Sequence, residues 1–410
     1  MSPRKDCIPH ELRTAAEPRQ NKLHTVRLTH IEQINPTVRL LRLTLPSSST
    51  SRDEFNRMNY EFQTDFCSQS SQQHQEPFAF LPGQWLDVHI PSIPQAGGFT
   101  ITSTPADAQF LPSPEPVLQT GSDPRSTDAE GIAPTDAPSG RLPYVELAVQ
   151  KAPSSPPAAW LWRPEEEIMG KELNVRVGGS FIWPPTDIAI DQIRNVVFVA
   201  GGVGINQSAN ESNFLGKSPL IAMLSHLSER ESSDAPTSLP LPDKNRNDPL
   251  SIHFLYSTRL PSEKTTSSSG HQQGRTDLNH STLRQILFLP RLRQIVQRAS
   301  SQPSNLHISL DLFLTNLPSN ASAASAVKML RDGDREGDED KDGNIRVYPR
   351  RITHDDLQTA ATTNTSGSDE VIPPENTVCY VCGPPPMTDG FVEFLRGIVG
   401  EKRVLCEKWW

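Results

Sequence analysis

The spacing of apolar residues changes near the middle of the chain. In the first half, apolar and polar residues alternate over 23–45, where Asn35-Pro36 marks a turn between two strands. A candidate short helix lies at 158–162, and further strand-like runs closed by turn signals lie at 85–90, 97–105, 144–149 and 173–181. Several short strands with almost no helix predict a small antiparallel barrel of roughly six strands.

In the second half, buried strands alternate with helical segments. The run 195–200 is apolar after its first residue and leads into a glycine cluster, which is typical of a strand buried on both faces of a parallel sheet. Further candidate strands lie at 252–257, 306–314, 377–382 and 403–406, and candidate helices lie at 219–227, 283–296 and 387–398. Pro290 is expected to break the second helix. This alternation predicts a doubly wound parallel sheet, so the predicted fold class is β followed by α/β.

Polar stretches without a sustained period interrupt both halves. We therefore predict a flexible N-terminal segment over 1–21, a barrel domain over 22–186 and an α/β domain over 190–410. The polar stretches are rich in Ser, Pro and acidic residues, and we interpret them as loop insertions. They lie near 46–76, 106–140, 207–218, 228–250, 261–280, 317–345 and 355–376.

Composition and charge narrow the classes of partner. The 410 residues carry a net charge of −9, which argues against nucleic acid or an anionic membrane surface as the main partner. No apolar run approaches the ~18 residues that a transmembrane segment needs. The five cysteines have no framework spacing, so we expect reduced thiols in a reducing compartment. Residues 1–30 are basic but also contain acids, which leaves the question of a transit peptide open.

Two glycine-bearing loops follow predicted strands. Gly201, Gly202 and Gly204 come directly after the first strand of the second half, and Gly383 follows its fourth strand. The carboxyl ends of parallel strands meet at one edge of the sheet, and glycine lets backbone N–H groups approach phosphate oxygens. A dinucleotide is therefore the predicted ligand of this edge, although glycine at a strand end also serves tight turns alone.

Two motifs with the spacing of metal or redox sites are interpreted otherwise. Cys379 and Cys382 form a Cys-x-x-Cys pair, but residues three apart on a strand point to opposite faces and cannot readily pair. The acidic run that begins at Asp338 resembles a calcium-binding loop through its eighth position, but the twelfth position is Pro349 instead of a carboxylate. We therefore predict no metal site.

Four groups of motifs carry a resemblance to a known family. They lie at 81–88 with 97–101, at 175–181, at 200–206, and at 382–389 with 407–410. In this order they resemble the ferredoxin–NADP reductase superfamily. The Cys-Gly-Pro-Pro-Pro-Met-Thr-Asp run and the Glu-Lys-Trp-Trp end resemble, more narrowly, the oxidoreductase NAD-binding domain-containing protein 1 family. The resemblance implies an FAD-binding barrel of the ferredoxin-reductase (FR) type, an NAD(P)-binding domain, and hydride transfer from nicotinamide to flavin in the cleft between them.

The resemblance also implies roles for individual residues. Phe99 would pack on the flavin, Thr100 would hydrogen-bond near its reacting nitrogen, and Glu407 would relay or orient a proton. Arg259 would meet the 2′-phosphate of NADP. The residues implied in catalysis are Thr100, Cys382, Glu407 and Trp410. Those implied in cofactor binding are Phe99, Thr100, Ile101, Gly179, Ser180, Gly201, Gly202, Val203, Gly204, Ile205, Asn206, Arg259, Cys382, Gly383, Pro384, Pro385, Met387, Trp409 and Trp410.

The implied cofactors are FAD and a hydride donor, NAD or NADP, and the implied partner is an unidentified electron acceptor. Gly97 stands where the superfamily has an arginine for the flavin phosphates, so we expect FAD to be weakly bound. Two alternatives stay open: a reductase-fold binding or assembly module without turnover, and a flavin reductase that uses exchangeable flavin. The resemblance implies a mitochondrial location, with the cytoplasm as the alternative, and we expect a monomer.

Overall fold

Two six-stranded sheets follow one another along the described part of the chain, the first antiparallel and the second parallel. Both agree with the architecture that the hydrophobic spacing predicts. The computed structural model describes residues 10–45, 78–109, 111–112, 140–201, 218–232, 249–261, 278–301, 305–317, 323–331, 344–362 and 372–408.

The first half forms the predicted barrel. Its strands are β1 (His24–Asn35), β2 (Val38–Thr44), β3 (Trp85–His89), β4 (Gly97–Thr100), β5 (Leu111–Pro112), β6 (Gly140–Arg141), β7 (Tyr144–Gln150) and β8 (Glu172–Gly178). Its short helices are α1 (His10–Arg13), α2 (Pro156–Leu161) and α3 (Glu165–Ile168). The sheet order is β4-β3-β8-β1-β2-β7, while β5 pairs with β6. A bridge between Ile101, which follows β4, and Leu147 on β7 links the two edges and closes the sheet.

Alternation along β3 separates an inner face from an outer face. Leu86 and Val88 are completely buried in the barrel core, so Trp85 and Asp87 point to the outer face. Trp85 and Asp87 are nevertheless buried. Another part of the chain therefore covers the outer face of β3.

The second half forms the predicted parallel sheet, in the order β12-β11-β10-β9-β13-β14. All seven residues of each of the central strands β9 and β13 are buried, as expected for strands covered on both faces. The strands are β9 (Asn195–Gly201), β10 (Leu250–Thr258), β11 (Leu306–Leu314), β12 (Ile345–Tyr348), β13 (Thr377–Gly383) and β14 (Val404–Lys408). The helices are α4 (Ser218–Ser232), α5 (His280–Arg284), α6 (Leu289–Ser301), α7 (Ala323–Arg331), α8 (His354–Thr362) and α9 (Pro385–Val399), with 3₁₀ turns at Ile190–Gln192, Pro374–Asn376 and Glu401–Arg403.

The structure corrects some of the predicted elements. Pro290 does not break a helix: it lies in the first turn of α6, after α5 has ended, where its missing N–H has no intrahelical partner to lose. Helix α7 lies inside the stretch 317–345, and α8 lies in the stretch 355–376 except for its first residue, His354; both stretches are predicted as loop insertions. The buried face of α7 consists of little more than Ala326 and Leu330, so its apolar pattern is too short to indicate a helix by itself.

Residues 10–20 depart from the prediction of a flexible N-terminal segment over 1–21. They lie on the outer face of β3, β4 and β8, where Arg19 forms a bridge with Gly178 and the Gln20 N–H donates to the Val177 carbonyl at 2.9 Å. The segment is held mainly by charged and polar groups. It therefore carries no apolar period from which its docking could be predicted.

A shared core and a buried carboxylate join the two halves. Val38, Leu40 and Ala148 of the barrel belong to the same hydrophobic cluster as one face of the parallel sheet. Arg291 on α6 donates to Glu146 Oε1 at 2.6 Å and to the Thr102 carbonyl at 3.0 Å, both in the barrel. These contacts hold the barrel against the α/β half. Among the described helices, none combines the length and the apolar character that crossing a bilayer requires.

Candidate functional site

The carboxyl ends of β9 and β13 form a glycine cradle, which we define as Gly201 and Gly383. Ala200 pairs with Cys382, so the two glycines end neighbouring strands. A Cβ on Gly383 would lie only 3.1 Å from the Gly201 carbonyl oxygen, and a Cβ on Gly201 would overlap the Met387 thioether. Neighbouring backbone therefore crowds a side chain at Gly383, whereas a Cβ on Gly201 would meet mainly the flexible end of Met387.

The start of α9 stands in front of the glycine cradle. The Met387 N–H donates to the Pro384 carbonyl at 3.1 Å, and the Thr388 hydroxyl donates to the Gly383 carbonyl at 3.1 Å. Pro385, at the first helical position, has no N–H to offer a ligand. The group over the cradle is the flexible end of the Met387 side chain, which can rotate aside. A flat ring could therefore approach the cradle only after the Met387 side chain has moved.

Cys382 and Glu407 are register partners on β13 and β14, so two residues implied in catalysis come together at this edge. Cys382 is buried in the core on one face of the sheet, and Cys379 is buried in the core on the other face. The two thiols thus point away from each other, as their spacing predicts. Neither is part of a disulfide.

The pKa of Glu407, at this edge of the sheet, is strongly shifted. Its Oε2 atom is buried and has no hydrogen-bond partner among the described residues. Burial, together with the charge of Glu17, raises the pKa of Glu407 to about 8. The carboxyl is therefore protonated at neutral pH and can donate its proton.

Arg259 and the glycine loop were also predicted to contact the dinucleotide. Arg259 is exposed just after β10, whose Ser257 pairs with Gly201, so it lies at the same edge of the sheet. The remaining implied residues lie outside the described part of the chain: Gly202, Val203, Gly204, Ile205, Asn206, Trp409 and Trp410.

On the barrel side, the residues implied in flavin binding are occupied by the protein's own contacts. Phe99 is half-buried and packs on the barrel core. Thr100 is only 4% exposed and pairs with Trp85 on β3. Ile101 is completely buried in the barrel core.

The place expected for the flavin phosphates is closed. A Cβ on Gly97 would lie 2.6 Å from the Phe99 ring and 2.7 Å from Pro157 Cβ, so a longer side chain has no room there. Helix α2 starts with Pro156 and Pro157, and neither has an N–H for an anion. Its N-cap Ser155 makes no side-chain capping hydrogen bond. These residues do not fit the pyrophosphate of a resident FAD.

Gly179 and Ser180 are occupied by the N-terminal segment. Gly179 has φ +103°, a conformation that favours glycine, and its N–H donates to the Pro18 carbonyl at 3.0 Å. The Ser180 N–H and hydroxyl both donate to the Glu17 carboxylate, at 3.1 and 2.6 Å. The N–H and hydroxyl of Ser180, which would meet a cofactor oxygen, thus donate to a carboxylate of the same chain.

Asp87 anchors that segment to the barrel. Its side chain is 0% exposed and contacts His10 Nε2 at 3.2 Å, Arg19 Nε at 2.9 Å and Arg176 Nη2 at 2.8 Å. Burial alone would raise the pKa of Asp87, but the close contact with His10 and the hydrogen bonds from Arg176 and Arg19 outweigh it and hold that pKa far below its usual value. Asp87 is therefore ionised at neutral pH.

Sequence reasoning missed Glu17, His10 and Asp87. A charged residue inside the apolar run of β3 was a signal that Asp87 is buried and needs partners. Nothing in the local pattern of residues 10–20 indicated that His10 and Glu17 would supply contacts to the barrel.

A barrel followed by a doubly wound parallel domain defines the class of two-domain, ferredoxin–NADP reductase-like proteins. Solved structures that align with this chain include two reductases. A cytochrome P450 reductase, GcoB, of Amycolatopsis aligns over 96% of this chain and 70% of its own, with a TM-score of 0.47 and 14% identity. A ferredoxin NADP⁺ reductase from Neisseria gonorrhoeae, with bound FAD and NADP, aligns over 95% and 100%, with a TM-score of 0.46 and 10% identity.

Sequence comparison supports the narrower resemblance. Curated proteins named "Oxidoreductase NAD-binding domain-containing protein 1" are similar to this chain. The Xenopus laevis protein is 26% identical over 338 residues, which cover 81% of this chain and 71% of that protein. The Danio rerio protein is 24% identical over 402 residues, which cover 98% and 97%. The predicted resemblance is thereby confirmed. No protein-family model matches the chain.

Proposed function

We propose that this protein is an NAD(P)H-dependent oxidoreductase that passes a hydride from nicotinamide to a flavin, and from there to an unidentified acceptor. The observation that carries the proposal is the glycine cradle, which the flexible Met387 side chain covers at the edge where Cys382 and Glu407 are register partners. Nicotinamide supplies the hydride. Gly201 and Gly383 give its ring room, and Glu407 holds a proton on its carboxyl at neutral pH.

The closed phosphate site favours a second form of the same activity. Gly97 brings no cation and Pro156 and Pro157 bring no N–H groups, so these described positions offer the pyrophosphate no charge-assisted hydrogen bond. A flavin reductase, for which flavin is an exchangeable substrate, needs no such site. The mitochondrial location and the monomeric state remain predictions.

The test is anaerobic reduction of added riboflavin, FMN and FAD by NADH and by NADPH, followed at the flavin absorbance near ~450 nm. We expect one dinucleotide to bleach at least one of the flavins at a rate proportional to the protein concentration. If neither dinucleotide reduces any of the three flavins, with wild type or with Glu17→Ala, the reductase proposal is refuted and the alternative of a binding or assembly module is favoured.

Gly201→Ala tests the cradle itself. Its Cβ would take part of the space that Met387 now fills and that the ring needs once Met387 has moved, so we expect the KM for the dinucleotide to rise about tenfold or more, equivalent to about 1.4 kcal/mol. Gly390→Ala is the matched control, because a Cβ there meets nothing within 4 Å. An equal KM in both variants would refute the role of the cradle.

A further inference from the structure

An N-terminal strap, residues 10–20, covers the outer face of β3, β4 and β8. At one end the His10 ring lies directly on Gly98 and makes an edge-to-face contact with Trp85, with 4.7 Å between ring centroids. At the other end the Arg19 guanidinium lies 4.9 Å from the centre of the Trp85 ring. The strap therefore explains why Trp85 and Asp87 are buried although they point away from the barrel core.

Glu17, between these two anchors, reaches the cleft between the halves of the protein. Its carboxylate accepts both donors of Ser180, at 3.1 and 2.6 Å. Its charge also acts on Glu407 of the parallel sheet, which the resemblance implies in proton transfer. A single side chain of the strap thus bridges a barrel residue implied in cofactor binding and the catalytic edge of the α/β half.

The contact between Glu17 and Ser180 uses the same groups that a ligand would use there. The Ser180 N–H and hydroxyl form a pair of donors that suits an oxygen acceptor, such as a carbonyl of the isoalloxazine ring. Glu17 supplies the same kind of acceptor with a full negative charge, which makes its hydrogen bonds stronger than those of a neutral oxygen. A flavin oxygen can reach these donors only when the carboxylate leaves.

We propose that the strap is an autoinhibitory element: its docking through Glu17 and the binding of flavin at Gly179 and Ser180 exclude each other. The inference rests on the proposed function, because it requires flavin to be the ligand of this face. It goes beyond that function by making access to the site depend on release of residues 10–20. His10 and Arg19, through Asp87, set how firmly the strap is held.

The test measures the affinity of wild type and of three full-length variants for riboflavin and FMN, by titration of flavin fluorescence. Glu17→Ala removes the contact to Ser180, and His10→Ala loosens the other end of the strap without touching Ser180. Glu11→Ala is the matched control, since it removes the same charge from the same segment. We expect both flavins to bind about tenfold or more tightly to Glu17→Ala and His10→Ala than to wild type, and Glu11→Ala to match wild type.

Trypsin cleavage after Arg19, followed by mass spectrometry, reports strap release independently of flavin affinity. FMN should accelerate this cleavage in wild type. If wild type and Glu17→Ala bind flavin equally tightly and FMN does not accelerate the cleavage of wild type, the strap proposal is overturned and the reductase proposal stands. If no form binds either flavin while the variants keep the melting temperature of wild type, both proposals fail.

Discussion

Asp87 is a buried charge, and the structure predicts a large loss of stability when this charge is removed. In Asp87→Asn, the guanidinium groups of Arg19 and Arg176 lose a partner carboxylate at 2.9 and 2.8 Å, and His10 loses one at 3.2 Å. The acceptor side chain is 0% exposed, and the three donor side chains are 12, 15 and 29% exposed. Breaking a buried ion pair by removing one partner costs about 3–5 kcal/mol. Because the two guanidinium groups keep some contact with water, we expect about 3 kcal/mol.

The assay is urea unfolding followed by tryptophan fluorescence, which includes the signal of Trp85 in the same cluster. Glu172→Gln is the control, because Glu172 pairs with Arg27 at 2.9 Å but both side chains are 61% exposed, and such a pair contributes about 0–1 kcal/mol. If the free energy of unfolding falls no further in Asp87→Asn than in Glu172→Gln, the reasoning is refuted.

The difference between wild type and Asp87→Asn also depends on pH. The folded pKa of Asp87 lies far below its usual value of 3.8. Its contribution to stability is therefore complete at neutral pH and is lost as the pH falls below about 4, where the unfolded chain takes up a proton first. We expect the two unfolding midpoints to converge in acid. A difference that stays constant down to about pH 3 would contradict this account.

Two further predictions concern the α/β half. The folded pKa of Glu407 is raised from 4.5 to about 8. Wild type should therefore lose stability relative to Glu407→Gln as the pH rises from 4.5 to 8. Urea midpoints of both proteins at intervals across this range measure the loss, and a constant difference between them would disprove the prediction. Gly390→Ala and Gly397→Ala should each stabilise the protein by about 0.5–1 kcal/mol, because alanine favours the helix α9 and its Cβ meets nothing within 4 Å. Thermal unfolding tests this, and a lower melting temperature in either variant would show that the helix is strained there.

The two-part architecture follows from local sequence patterns. The continuous apolar run at 195–200 predicted a strand buried on both faces, and β9 is such a strand. The three-residue spacing of Cys379 and Cys382 predicted thiols on opposite faces, and each lies in a different core cluster. Period and spacing are properties of neighbouring residues, so no tertiary information is needed to infer them.

Only the tertiary structure decided what covers the predicted flavin face. Asp87 was visible as a charge in an apolar strand, but its partners Arg19 and Arg176 lie 68 and 89 residues away along the chain. The hydrogen bonds of Glu17 to Ser180 span 163 residues. Contacts between single polar groups at such separations leave no periodic trace in the sequence. The sequence thus determined the two sheets and the glycine cradle, while the folded chain alone determined that its N-terminal strap occupies the donors of Ser180.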